Sequence, residues 1–341
     1  MSRALNVAIV GVTGAVGEAL LQVLADRKFP INKLYALASS RSVGKTVTFK
    51  GRPLDVLDLA EFDFSKVDIG LFSAGSSVSK EYAPKAVAAG CVVVDNTSCF
   101  RYEDDIPLVV PEVNAHKIAE YTKRGIIANP NCSTIQMVVA LKPIYDAVGI
   151  TRINVATYQS VSGTGKKAIS ELIAQVGDLL NGRPAQSKVY PEQIAFNALP
   201  HIDVFEANGY TKEEMKMVWE TRKILEDEHI MVNPTAVRVP VIYGHSEALH
   251  IELKNPLTAA DARALLAKAP GVKVVDNPDK LSYPTVLKNA VGKDDVFVGR
   301  IRQDISHPCG LNLWVVADNI RKGAASNAVQ IAEILQKEFL V

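Results

Sequence analysis

Leu5-Asn6-Val7-Ala8-Ile9-Val10-Gly11-Val12-Thr13-Gly14-Ala15-Val16-Gly17 decides the fold. Leu5 to Val10 is a short apolar run that predicts a buried strand, and Ala19, Leu20, Val23 and Leu24 then recur at helical spacing. A glycine-rich turn between a strand and a helix lets the backbone approach a pyrophosphate, with the helix N-terminus facing its charge. The spacing is G-x-x-G-x-x-G rather than G-x-G-x-x-G, so the strand-turn-helix context carries the reading and a plain tight turn is the alternative.

Outward from this stretch, Leu34 to Ala38 predicts the next strand, which should end beside an adenine ribose. An NAD site places Asp or Glu there; this chain has Ser39-Ser40-Arg41-Ser42. Hydroxyls and a guanidinium suit a 2′-phosphate, so the reading is NADP, with an exposed Arg41 as the alternative. Strands at Ile69 to Phe72 and Cys91 to Val94, with a helical segment around Tyr82 to Ala89, predict a parallel, doubly wound sheet. Ser73 to Gly75 and Asn96 to Ser98 stand at the carboxyl ends of those strands. Arg101 precedes Glu103-Asp104-Asp105, and taken alone it reads as a surface ion pair.

Asn129-Pro130-Asn131-Cys132-Ser133-Thr134 follows the apolar run Gly125 to Ala128, and Ile135, Met137, Val138 and Leu141 continue at helical spacing. Cys132 therefore stands where a strand stops and a helix begins, a position that favours the nucleophilic thiolate. A buried structural cysteine is the alternative.

From Thr151 the strands lengthen: Ile153 to Val161, Ala236 to Ile242, Ala248 to Leu253, Asp295 to Arg302 and Leu311 to Ala317. Leu249, Ile251 and Leu253 alternate with His250 and Glu252, which predicts a mixed or antiparallel sheet with one buried face. Helices are predicted at Lys166 to Leu180, Lys212 to Glu228 and Thr258 to Lys268, and a final amphipathic segment at Gly323 to Phe339. The loop Asn181 to Asp203, with three prolines, is long enough to predict a lid or a partner contact. Ser160 to Gly165 ends a strand and opens a helix, a second backbone-rich anion or cofactor contact. Glu213 and Lys216 share a helix face and read as a solvated salt bridge. Arg238 interrupts an apolar strand, which calls for a carboxylate partner or a ligand, and His245 reads as an exposed loop histidine.

Together GVTGAVG, NPNCST, Arg101, YQSVSGTG, EEMK and RVPVIYGHS resemble the aspartate-semialdehyde dehydrogenase family in its bacterial form, in order over nearly the whole chain. The resemblance implies NADPH-dependent reduction of L-aspartyl 4-phosphate to L-aspartate 4-semialdehyde with release of phosphate, in lysine, methionine and threonine biosynthesis. It implies Cys132 as nucleophile through a thioester, His245 as acid/base, and Arg238, Gln159 and Glu213 as substrate contacts. Arg101 and Lys216 become the phosphate-binding pair. Thr13, Gly14, Ala15, Val16, Arg41, Ser42, Ser162, Gly163 and Asn319 fall on NADP(H) positions. It also implies an α/β chain with a Rossmann-like domain over 1–133, completed by a C-terminal helix at 319–341, and an α+β catalytic and homodimerisation domain over 134–318.

Composition narrows the field independently. The 341 residues exceed the about 250 to 300 that one core supports, which predicts two domains. Lys plus Arg (38) nearly cancels Asp plus Glu (37), so no nucleic-acid or membrane-surface partner is predicted, only small molecules or a second copy. No run reaches the about 18 apolar residues of a membrane span, and no signal-peptide pattern opens the chain, so a cytoplasmic protein is expected. Cys91, Cys99, Cys132 and Cys309 have no metal spacing; free thiols are expected, packing is the default for the other three, and no metal is predicted. Two alternatives stand beside the main reading. N-acetylglutamyl-phosphate reductase performs the same chemistry on a longer, acetylated substrate, and a catalytically silent relative would keep only NADP binding or dimerisation.

Overall fold

The computed structural model describes residues 3–340, and by packing the chain divides into two units. One contains the residues up to Asn131 and those from Ala324 onward; the other is the continuous stretch Cys132–Gly323.

The first unit is a seven-stranded sheet in the order β3-β4-β2-β1-β5-β6-β7. Its strands are β1 (Leu5–Val10), β2 (Ile31–Ala38), β3 (Thr46–Phe49), β4 (Arg52–Asp58), β5 (Ile69–Phe72), β6 (Val92–Asp95) and β7 (Ile126–Ala128). All neighbours are parallel except β3 and β4, a hairpin absent from the sequence reading. Its two-residue turn is Lys50-Gly51, both at positive φ (49° and 75°). Helices α1 (Ala15–Asp26), α2 (Ser76–Ala88) and the short α3 (Pro111–Asn114) lie between the strands in sequence. β1 is wholly apolar where it is buried because parallel strands are covered on both faces.

The second unit starts with α4 (Cys132–Val148) and holds a mixed six-stranded sheet in the order β11-β12-β13-β10-β8-β9. The strands are β8 (Ile150–Gln159), β9 (Met231–Arg238), β10 (His245–Leu253), β11 (Val272–Val274), β12 (Val296–Gln303) and β13 (Gly310–Ala317). Helices α5 (Lys166–Leu180), α6 (Lys212–Leu225) and α7 (Ala259–Leu266) complete it. One boundary corrects the sequence reading: the strand expected over Ala236 to Ile242 ends at Arg238. Pro240 has no N–H to give a ladder and Gly244 turns at φ 85°, so the regular strand stops, although Val239 still donates to the Gln159 carbonyl (3.0 Å) and the Val241 and Ile242 carbonyls accept from Val161 and Ser162 (2.9 and 3.2 Å). Arg238 is thus a strand end, not an interruption.

The segment from Ala324 carries α8 (Ser326–Ile334), with Ala328, Val329, Ile331 and Leu335 buried in the core of the first unit. Arg27 also holds Glu333 in a bidentate pair (2.9 and 2.7 Å). A partly exposed pair contributes about 0–1 kcal/mol, against about 1.5–3 kcal/mol for each large buried aliphatic, so the apolar face anchors the helix. Among the described residues no helix is long and apolar enough to cross a membrane.

Candidate active site

In the first unit a groove of about 560 Å³ opens over the carboxyl ends of the strands, lined by Gly11, Thr13, Gly14, Ser39, Ser40 and Arg41 among others. The glycines explain its floor. Gly11 sits at φ 91°, and a Cβ there would come within 2.9 Å of Ala74 backbone; a Cβ on Gly17 would lie 2.3 Å from the Gly11 carbonyl. Gly14, just ahead of α1, leaves the approach to the helix N-terminus open. Ser39, Ser40 and Arg41 supply the donor set a 2′-phosphate takes, so the groove fits NADP. Ala15 and Val16 form the first residues of α1, and Ser42 closes the short turn Ser40–Ser42. Asp58 at the end of β4 also lines the groove, a carboxylate that sequence reading missed because β4 was not recognised; it accepts the Ala60 N–H at 3.0 Å.

In the second unit Cys132 is the first residue of α4, and its Sγ lies 3.2 Å from Nε2 of His245, the first residue of β10. His245 is fully buried, which corrects its reading as an exposed loop residue. Burial, helped by the Arg238 charge, pulls its pKa down to about 3, so the ring is neutral near pH 7. Ser160 meets Nδ1 twice: its backbone N–H donates at 3.0 Å, and its hydroxyl lies at 3.1 Å. The backbone N–H can only donate, so Nδ1 is the accepting nitrogen and the neutral ring carries its proton on Nε2, facing the Cys132 sulfur. Asn319 braces this corner, accepting from the Ser160 and Ser162 hydroxyls (3.1 and 3.2 Å) and from the Gly244 N–H (2.8 Å). A Cβ on Gly163 would sit 3.2 Å from Arg238 Nη1 and 3.6 Å from the His245 ring, so both side chains approach its backbone.

Arg238 is buried, and its Nη1 donates to the Ser160 carbonyl at 2.7 Å while Nε has no partner. An orphaned guanidinium donor in a buried site is built for a ligand oxygen. Gln159, at the end of β8, donates to Glu213 at 3.2 Å. Lys216 lies between Glu213 (3.0 Å) and Asp203 (2.8 Å), with its side chain only 12% exposed. Burial opposes its charge, but those carboxylates outweigh it and hold its pKa above the usual lysine value. The Glu213–Lys216 pair is therefore internal, not the solvated bridge expected. Arg101, in the first unit, is also buried and donates to the Asn96 carbonyl at 2.8 Å, while Asp105 pairs with Arg124; its reading as a surface ion pair is corrected too.

The loop before Asp203 is fastened to α5. Glu171 accepts the N–H groups of Lys188, Val189 and Tyr190 (2.7, 2.6 and 3.3 Å), and Gln175 accepts those of Ile194 and Ala195 (both 3.0 Å). Ser160 was the contact missed in the sequence; it stood inside YQSVSGTG, but only the fold shows that it faces the His245 ring. Among the described residues none of the four cysteines forms a disulfide, and no cluster could hold a metal ion. Burial, with the Asp68 charge, pushes the Cys91 thiol up to about 12, consistent with packing.

Residues 6–121 match the family described as semialdehyde dehydrogenase, NAD binding domain, and 141–322 the one described as semialdehyde dehydrogenase, dimerisation domain. The chain is 84% identical to an aspartate-semialdehyde dehydrogenase of Legionella pneumophila over 100% of this chain and 98% of that one. The structure of aspartate semialdehyde dehydrogenase II of Vibrio cholerae, complexed with ASA, matches at TM-score 0.97 and 59% identity over 99% of this chain and 100% of that one. An enzyme of the same name with NADP, from Candida albicans, matches at TM-score 0.77 and 26% identity over 99% and 100%. With a Cys–His pair at a helix start, a nucleotide groove and these relatives, the chain belongs to the aspartate-semialdehyde dehydrogenase family.

Proposed function

We infer that this oxidoreductase reduces L-aspartyl 4-phosphate to L-aspartate 4-semialdehyde and phosphate, reversibly, with NADPH. The observation that carries the reading is the 3.2 Å approach of the Cys132 sulfur to His245 at the start of α4. The bound ASA and NADP of its relatives support the substrate and cofactor, and their names favour an aspartyl over an N-acetylglutamyl substrate.

The roles follow from the chemistry of each group. Cys132 reacts as the thiolate that a helix start favours, facing the His245 Nε2–H, and the sulfur attacks the acyl carbon; a C–S bond forms, the C–O bond to phosphate breaks, and a thioester remains. NADPH, when bound, supplies the hydride that reduces this thioester. Collapse of the resulting thiohemiacetal anion frees the aldehyde and the Cys132 thiolate, with His245 as the acid/base partner that offers its Nε2–H to the charged oxygen and then to the sulfur. Burial and Arg238 make the imidazolium unfavourable, so His245 works as the neutral ring. Arg238 clamps the substrate carboxylate, Glu213 takes the amino group, and Gln159 orients both. Arg101 and Lys216 hold the phosphate, Lys216 sharing its charge with Glu213 and Asp203. Thr13 to Val16, Arg41, Ser42, Ser162, Gly163 and Asn319 form the NADP contacts.

The protein acts as a cytoplasmic homodimer; four cysteines without a disulfide suit a reducing compartment, and the match to a dimerisation domain supports the assembly. The decisive experiment is phosphate-dependent NADPH formation from aspartate semialdehyde, beside N-acetylglutamate semialdehyde. Turnover of the first alone, lost in Cys132→Ala with NADP affinity retained, is expected. Normal turnover by that variant would exclude the thioester route.

A further inference from the structure

Glu247 is a carboxylic acid residue with no exposed surface and no hydrogen-bond partner for either oxygen. Gln136, 1% exposed, likewise has neither amide atom bonded. Both belong to the elements that carry the reacting pair. On α4, Gln136 lies four residues after Cys132, one turn along the same face; on β10, Glu247 lies two residues after His245, on the same side of the strand. Burial drives the Glu247 pKa well above the usual carboxylate range, and the Gln136 amide is the polar neighbour that acts against it. Cys132 meets His245 between one helix and one strand, and Gln136 and Glu247 are the next residues in step on the same two faces.

We propose that Gln136 and Glu247 form a buried side-chain rung tying α4 to β10, and that Glu247 is a positioning residue holding the Cys132 sulfur against the His245 ring. This rests on Cys132 and His245 being the reacting pair. The donor count favours the protonated acid. A carboxyl O–H can donate to Gln136 Oε1 while Gln136 Nε2 donates to the other carboxyl oxygen, so donors and acceptors match. An ionised Glu247 would leave the Gln136 oxygen without a donor and a charge without a counter-ion, a costly arrangement in a dry interior. A neutral amide at 247 can make the same pairing; an aliphatic side chain cannot.

The test compares the full-length wild type with Glu247→Gln, Glu247→Leu and Gln136→Leu. The readouts are kcat, KM for aspartate semialdehyde, and the pH profile of Cys132 alkylation by iodoacetamide; NADP affinity reports folding. Glu247→Leu is expected to lower kcat about tenfold or more with KM changed by less than about twofold, and to displace the alkylation profile. Gln136→Leu removes the rung from the helix side and should reproduce that pattern even where Glu247→Leu does not fold. Glu247→Gln should restore kcat to within about threefold of wild type and leave the profile in place. Wild-type behaviour of a folded leucine variant would overturn the proposal, as would a glutamine variant as impaired as the leucine one. A wild type without turnover would instead remove the catalytic reading itself.

Discussion

His245 and Glu247 sit two residues apart on β10, both fully buried, and titrate in opposite senses. An unfolded histidine protonates near 6.5, whereas folded His245 resists until about 3. Between those values the unfolded chain binds more protons, so this contribution is complete above about pH 6.5 and declines on acidification by up to about 1.4 kcal/mol per pH unit. Urea unfolding from pH 7 to pH 4 should show that decline, flattened in His245→Asn. For Glu247 the folded pKa is raised, so the folded chain keeps a proton that the unfolded chain loses above about 4.5. Its contribution is complete at lower pH and shrinks as pH rises, and Glu247→Gln should remove the shrinkage in the same measurement. Of these residues, Cys132 was legible because strand, polar turn and helix flank it in sequence. The burial of His245 was not, since the Gly244 bend that carries it into the sheet leaves no periodicity.

At the level of elements, the start of α4 depends on a residue far along the chain. A Cβ on Gly323 would lie 2.6 Å from the Cys132 Cβ. Gly323→Ala should therefore push the sulfur from its position and lower kcat by about tenfold or more, with a melting curve confirming that the fold survives. Helix α6 has its own control in a capping box: the Thr211 hydroxyl accepts the Glu214 N–H and the Glu214 carboxylate accepts the Thr211 N–H. Glu214 also accepts the Ala236 N–H at 2.9 Å, so the cap joins α6 to β9. Thr211→Ala should lower the unfolding free energy by about 1 kcal/mol in urea titration. Long periodic elements such as α5 were readable at both ends. The β3–β4 hairpin and β11 were not, because short strands with mixed burial give too few alternations to count.

Over the whole molecule, the proposed function assigns cofactor choice to one short loop, Ser39 to Ser42. Removing the Arg41 guanidinium takes away a charge-assisted bond worth about 1.5–3 kcal/mol, so Arg41→Ala should raise KM for NADPH about tenfold or more and leave KM for NADH nearly unchanged. Steady-state kinetics with both cofactors reads this directly. The parallel sheet, the mixed sheet and the order of motifs were legible because each rests on local patterns. Which residues meet across a unit, as Ser160 meets His245 or Gly323 meets Cys132, was not, since those pairs lie far apart in sequence.

The first unit is assembled from two separate lengths of chain, with Cys132–Gly323 running between them. During synthesis the ribosome completes the whole second unit before it makes Ala328, Val329, Ile331 and Leu335, which close the first unit's core. A chain ending at Gly323 would hold all of the second unit, its sulfur–imidazole pair included, and a nucleotide-binding half that lacks its last wall. Quality-control proteases should therefore meet the nucleotide-binding half as the late, vulnerable part of every new molecule.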